Sequence, residues 1–272
     1  MSVLTPPPFV PRSYDPLALD GATLWSRRPL PDVANWVTDA NARVARCLDH
    51  RLSRRLHVVA YDSVEDCERA LCRSIHVTAL LAPLHREDLA LIALHAPSTH
   101  HRNNDPVRML RHLCHELAHV HVAEVTGSVK RLGDGGTGMH VRPWVDEGIA
   151  ECTAAIATED GAILERARLR SQTPMSDGAI DAALLELYSP DRAMAFAHAT
   201  MRIWRAVQAR GIAAILRDAA EPDRLRGPRT PDRTATTTPS RAADVDALPR
   251  ELGDRVSEGL GHTVAGDDGR RD

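Results

Sequence analysis

The spacing of apolar residues changes near residue 106, and this change constrains the fold more strongly than any other feature of the sequence. Before it, a helical pattern over residues 32–49 is followed by strand-like and helical segments in turn, namely Leu56–Tyr61, 63–72 and Leu89–His95. After residue 106 the apolar residues keep a helical period. The pattern predicts an α+β protein, with a small sheet and helices first and a helical subdomain second.

Four helices are predicted after the change. The first begins at Asp105 and Pro106, because an aspartate cap accepts free amide hydrogens and proline is tolerated in the first turn. It extends to about Glu124 and is followed by a glycine-rich loop. The other three are expected at 144–159, 179–188 and 191–210, with Gly211 as a C-terminal cap.

Both ends of the chain are predicted to lie outside the folded core. Residues 1–30 are interrupted by prolines and are expected to form an extended N-terminal arm. Residues 221–272 are polar and have few apolar side chains to offset the entropy of ordering, so they are expected to be largely disordered. The folded domain is therefore expected to span residues 31–220.

Composition and charge exclude several classes of partner. A net charge of −3 gives no excess of positive charge to neutralise a phosphate backbone. No apolar run is long enough to cross a bilayer, and the N-terminus lacks the pattern of a secretion signal. The 5 cysteines form no CxxC pair, and an odd number fits a reducing compartment. We expect a cytoplasmic protein that binds neither nucleic acid nor membrane, while its oligomeric state is not indicated.

The segment HELAH, residues 115–119, places an HExxH pattern on the first predicted helix. Because residues four apart lie on one face of a helix, His115 and His119 can both bind one metal ion. Glu116 is rotated by about 100° from His115, which leaves its carboxylate beside the metal and free to act on a water molecule. The pattern predicts two zinc ligands and a general base.

A third ligand is expected from the next helix, because catalytic zinc normally has three protein ligands. The segment WVDEGIAE presents Glu147 and Glu151 on one helical face. One carboxylate can bind the metal, and the other can accept the free ring N–H of a ligand histidine. We assign Glu147 to zinc and Glu151 to a histidine, with His115 as the expected partner.

These two segments together resemble the gluzincin metallopeptidases, a group that includes thermolysin and aminopeptidase N. The resemblance covers roughly residues 89–211 and implies a zincin-like fold in which Leu89–His95 would be the edge strand along the cleft. It also implies that Glu147 is the third ligand and that Glu151 orients a histidine. His119 and Glu147 are further apart in sequence than in the best-known members, and no exopeptidase motif is recognisable, so no subfamily is assigned.

The resemblance implies hydrolysis of peptide bonds in a peptide or protein substrate, with Zn²⁺ as cofactor and Glu116 as general base. Gluzincins usually bring a tyrosine or histidine from a later helix to the transition state, and Tyr188 and His198 are both candidates here. The alternative is a gluzincin-like zinc-binding module with a regulatory or interaction role and no peptidase activity. A degenerate site of that kind would be expected to lose Glu116 first.

Overall fold

The computed structural model describes residues 6–7, 9–71, 81–86, 89–95, 106–128, 141–186 and 188–220. Within these ranges the strands are β1 (Asp15–Ala18), β2 (Ala22–Ser26), β3 (Leu56–Tyr61), β4 (Leu81–Arg86) and β5 (Leu89–His95). The helices are α1 (Pro31–Leu48), α2 (Val64–Leu71), α3 (Pro106–Thr126), α4 (Pro143–Ala157), α5 (Gly161–Arg170), α6 (Asp177–Leu185), α7 (Arg192–Arg210) and α8 (Ile212–Ala219). The α+β prediction is confirmed, with a small mixed sheet in the first half and helices in the second.

The strands form one sheet in the order β1-β2-β3-β5-β4. The three inner strands are parallel, and both outer strands run antiparallel to their neighbours. Helix α1 connects β2 to the parallel strand β3, as a parallel pair requires. The expectation that Leu89–His95 is the edge strand is wrong, because β4 covers its outer side. Pro83 in β4 disguised that strand in the sequence. Proline has no N–H to donate to a neighbouring strand, and an edge strand needs no such donor on its outer side.

Side chains of the inner strands alternate between two apolar layers, as the pleat of a strand dictates. On β3, Val58 belongs to the main core beneath the helices, and Val59 belongs to a smaller cluster on the opposite face. The main core continues into α1, α3 and α4. The smaller cluster includes Tyr14 and Trp25 from the N-terminal region and Cys67 from α2.

The prediction of an N-terminal arm over residues 1–30 is therefore wrong. All five residues of β2 are buried, and β2 pairs with both β1 and β3. Residues before β1 pack on the sheet, since Tyr61 Oη donates a 2.6 Å hydrogen bond to the carbonyl of Phe9. The prolines in this segment hid both strands from the sequence interpretation. Pro16 is compatible with a strand because β1 is an outer strand, and no ladder hydrogen bond is lost on its free side.

The helical half packs around α4. Helix α4 contacts α3 on one side and α7 on another, and α3 also contacts α1 and β4. The predicted helices at 144–159, 179–188 and 191–210 correspond to α4, α6 and α7. Helices α5 and α8 were not predicted. The helix predicted at 144–159 stops just before Asp160, whose side chain accepts from Ala162 N and caps the start of α5.

Gly148 sets the close approach of α4 and α7. A Cβ atom at this position would lie 2.5 Å from the carbonyl oxygen of Ala199 and 2.5 Å from Cγ1 of Ile203. Side chains do not tolerate such distances, so only glycine allows the two helices this separation. The glycine that follows Glu147 in the sequence is thus explained by packing.

Some predictions fall on residues that the structure does not describe. The chain divides into a unit of Met1–Pro228 and a second unit, Arg229–Asp272, and the predicted tail at 221–272 lies outside the described residues. Asp105, the predicted cap of α3, and residues 129–140 of the glycine-rich loop also lie outside them. Among the helices that are described, none combines the length and apolarity needed to cross a bilayer.

Candidate metal centre

His115 and His119 face one another on α3. They are separated by one helical turn, and their rings are nearly perpendicular, with an interplanar angle of 84°. Their Nε2 atoms lie 3.1 Å apart. The helix thus presents two ring nitrogens to one point, as the spacing in the sequence predicts.

Glu147 on α4 brings a carboxylate oxygen to the same point. Its Oε2 atom lies 3.4 Å from His115 Nε2 and 3.3 Å from His119 Nε2. This oxygen is buried and has no hydrogen-bond partner among the described residues. The two ring nitrogens are the polar groups beside it, and a buried carboxylate oxygen without a well-aligned hydrogen bond suits a metal ligand.

The three atoms fit a zinc ion. Zinc in proteins binds histidine nitrogen and carboxylate oxygen at about 2.0–2.2 Å in tetrahedral geometry, which separates the ligand atoms by about 3.3–3.6 Å. The observed separations are 3.1, 3.3 and 3.4 Å. Within the described part of the chain, this is the group of His, Cys, Asp and Glu side chains with metal-binding spacing. Three protein ligands of this kind would leave one tetrahedral position for water or substrate.

Each histidine has its own carboxylate behind it. His115 Nδ1 lies 3.3 Å from Glu151 Oε1, and His119 Nδ1 lies 2.9 Å from Asp146 Oδ1. A carboxylate that accepts the Nδ1–H fixes the tautomer in which Nε2 carries a lone pair toward the centre. The earlier histidine on α3 lies beside the later carboxylate on α4, and the later histidine beside the earlier carboxylate, so the two helices are antiparallel. Glu151 lies beside His115, the histidine to which the sequence interpretation assigned it.

Asp146 is the residue that the sequence interpretation missed. Its side chain is only 2% exposed, and that of its partner His119 only 3%. The signal was present in WVDEGIAE, where an aspartate directly precedes the proposed ligand. Two ligand histidines each need an acceptor for the second ring nitrogen, and Glu151 can serve only one of them. A search for the second acceptor would have found Asp146.

The charges of the centre favour a cation. Burial acts to lower the pKa of His115, but the carboxylates of Glu147 and Glu151 outweigh it and hold this pKa well above its usual value. Burial acts to raise the pKa of Glu147, but the neighbouring His119 and His115 hold it well below its usual value. The carboxylates therefore stay ionised, and a metal ion that bound between them would take the place of the protons on the histidine Nε2 atoms.

The remaining predicted residues lie as follows. Glu116 is half-buried on α3, next to His115 in the chain and outside the group of three ligands. His198 is buried, and its Nε2 lies 2.7 Å from the carbonyl oxygen of Thr173, so this nitrogen donates to the backbone. Tyr188 follows α6 and is 73% exposed. In this arrangement His198 has its Nε2–H engaged and does not offer it to a substrate.

Comparisons with known proteins give no match. No family model, no curated protein and no solved structure matches the chain. The geometry of the candidate centre is therefore the basis on which a function is proposed.

Proposed function

We propose that this protein is a zinc-dependent peptidase of the gluzincin type. The observation that carries the proposal is the triangle formed by His115 Nε2, His119 Nε2 and Glu147 Oε2, with sides of 3.1–3.4 Å. The carboxylates behind both histidines support it, because catalytic zinc sites orient their histidines in this way. The zincin-like arrangement of the whole domain is part of the same proposal.

Each residue of the centre has a defined role. His115, His119 and Glu147 hold the metal, while Asp146 and Glu151 accept the Nδ1–H of the two histidines. When bound, a zinc ion supplies Lewis-acid chemistry, since it polarises a carbonyl and lowers the pKa of water towards about 7. The Glu116 carboxylate takes a proton from the attacking water and passes it to the leaving amine. The result is hydrolysis of a peptide bond without a covalent enzyme intermediate.

The test compares the wild-type protein with a Glu116→Gln variant. Glutamine keeps the size of the side chain but cannot accept the proton, so the variant is expected to bind zinc and to lose turnover. Zinc content is measured by elemental analysis and cleavage by mass spectrometry of a diverse peptide library. Glu165→Gln is a suitable control, because Glu165 lies on the exposed surface of α5 in an ion pair with Arg168.

The outcomes separate the two candidate functions. Wild-type protein that binds one zinc and cleaves nothing would favour the non-catalytic zinc-binding module. A Glu116→Gln variant that retains full activity would remove Glu116 from the mechanism. A wild-type protein that binds no zinc would refute the metal centre itself.

A further inference from the structure

Helix α4, which carries Glu147, begins without a side-chain cap of its own. Its N-cap residue, Arg142, makes no capping hydrogen bond. The free amide groups at the start of a helix need partners, and one is supplied from another helix. Asp181 on α6 accepts a hydrogen bond through Oδ1 from the backbone N–H of Trp144, at 3.1 Å. Asp181 on α6 thus caps the start of α4 as an N-cap aspartate would, and its negative charge is favourable at the N-terminus of α4.

The same carboxylate also binds Arg142. Arg142 donates from Nε and Nη2 to Asp181 Oδ2, at 2.8 and 2.6 Å. It donates from Nη1 to Asp177 Oδ2 at 3.0 Å, and Arg202 on α7 donates to the other oxygen of Asp177. Arg202 further donates to the carbonyl of Met175 at 2.7 Å. Two cations and two anions therefore balance in a network that joins α4, α6 and α7.

Trp144 lies at the centre of this network. Its ring centroid is 6.0 Å from the guanidinium carbon of Arg142 and 5.6 Å from that of Arg202. Cations at such distances from an indole face attract the ring. The Asp181 side chain is 18% exposed, so its interactions are less screened than those of a surface ion pair. The first turn of α4 is thus fixed by the partly buried carboxylate of Asp181.

Two residues of the metal centre follow directly in that turn. Asp146 and Glu147 come two and three residues after Trp144, so a shift of the first turn of α4 moves both carboxylates relative to α3. We propose that Asp181 is a positioning residue for the metal centre: by holding the first turn of α4, it sets the place of Asp146 and Glu147 relative to His119. This inference rests on the proposed zinc site.

The experiment measures zinc affinity, the absorption spectrum of the cobalt-substituted protein and the melting temperature. Asp181→Ala is expected to weaken zinc binding by about 10-fold, the lower end of the loss seen when a group supporting a ligand is removed. The cobalt bands are expected to shift, because they report the ligand geometry. Asp181→Asn keeps an oxygen for the Trp144 N–H but loses the ion pair, so a smaller shift in the same direction is expected.

Asp160→Ala is the matched control. It removes the carboxylate that caps α5, where Asp160 accepts from Ala162 N at 3.1 Å, and it touches no residue of the network. The control should lower the melting temperature and leave zinc affinity and the cobalt spectrum unchanged.

The proposal is overturned if Asp181→Ala lowers the melting temperature but binds zinc and cobalt as the wild type does. If Asp181→Ala does not fold, the proposal is overturned when Asp181→Asn has the zinc affinity and the cobalt spectrum of the wild type. Wild-type protein that binds no zinc would refute the proposed metal site, and the positioning role with it.

Discussion

Helix α3 carries two clusters that each combine two histidines with a glutamate, and their geometries differ. In the metal centre, the Nε2 atoms of His115 and His119 lie 3.1 Å apart and face a carboxylate oxygen of α4. In the second cluster, Nδ1 of His121 lies 2.8 Å from Nδ1 of His50, which follows the C-terminal cap of α1. Both separations are within hydrogen-bond range, and the clusters differ in the third group: only in the first does a carboxylate oxygen lie within 3.4 Å of both Nε2 atoms among the described residues.

The second cluster is a chain of polar contacts. At 2.8 Å one imidazole must donate and the other accept. The other nitrogen of His50 lies 3.7 Å from Glu124 Oε1, which already accepts from the backbone N–H of Ser53 at 2.8 Å. Among the described residues, the first cluster has metal-binding spacing and this one does not.

The electrostatics of the two clusters are opposite. Carboxylates hold the pKa of His115 above its usual value, whereas burial, followed by the nearby His50, lowers the pKa of His121 to about 3. His121 is therefore neutral at physiological pH. The two clusters share residue types but differ in arrangement: in the proposed metal centre carboxylates lie behind both histidines and the two Nε2 atoms face a third carboxylate, whereas the second cluster lacks this arrangement.

The largest expected difference between the clusters is in metal binding. Glu147→Ala deletes a ligand, so its zinc affinity should fall by more than the factor of about 100 that marks the upper end of losses from supporting groups. Glu124→Ala should bind zinc as the wild type does. Both are measured by competition with a chromophoric chelator.

Two results would contradict this comparison. Equal losses of zinc in the two variants would mean that the second cluster takes part in the metal site. If Glu147→Ala kept zinc and Glu151→Ala lost it, the assignments of ligand and supporting carboxylate would be exchanged.

A smaller effect is expected within the metal centre, from the carboxylates behind the histidines. Asp146→Ala and Glu151→Ala should each weaken zinc binding by about 10- to 100-fold. The Asp146 variant should be nearer the upper value, because His119 is 3% exposed and its Nδ1–H would lose its acceptor where water has little access. The His115 side chain is 14% exposed, so water can replace Glu151. A larger loss in the Glu151 variant, measured by the same chelator titration, would contradict this ranking.

The sequence predicted those parts of the site that depend on spacing within one helix. His115 and His119 are four residues apart, as are Glu147 and Glu151, so each pair could be placed on one face of its helix. Asp146 was missed because the interpretation looked for an acceptor for one histidine only. The sequence offers Asp146 as a second acceptor, but which carboxylate faces which histidine depends on how α4 lies against α3, and no spacing within one helix encodes that relation.

The same reason explains the errors in the fold. The helices and inner strands with a clear period, such as α1 and β3, were predicted to within a residue or two. Strand β2 pairs with residues 56–59, far from it in sequence, and its five residues, two of them polar, are too few to show a period. The contact of His50 with His121 joins residues 71 positions apart and leaves no local pattern at all.

The smallest expected effect is on stability and comes from His50. His50→Ala removes the partner of His121 Nδ1, and His121 is fully buried, with Nε2 already lacking a hydrogen-bond partner among the described residues. A buried polar group left unpaired costs about 1–3 kcal/mol. Because the His50 side chain is 27% exposed, its removal lets water approach His121, and the cost should be near 1 kcal/mol. For a domain of this size that corresponds to a fall in melting temperature of about 2–4 °C.

Zinc affinity should not change, since the variant touches none of the three ligands or their carboxylates. Calorimetry measures the melting temperature, and chelator titration of the same preparation measures zinc affinity. A loss of zinc affinity comparable to that of Glu151→Ala would show that the two clusters are coupled through α3. An unchanged melting temperature would show that the contact between His50 and His121 contributes no stability.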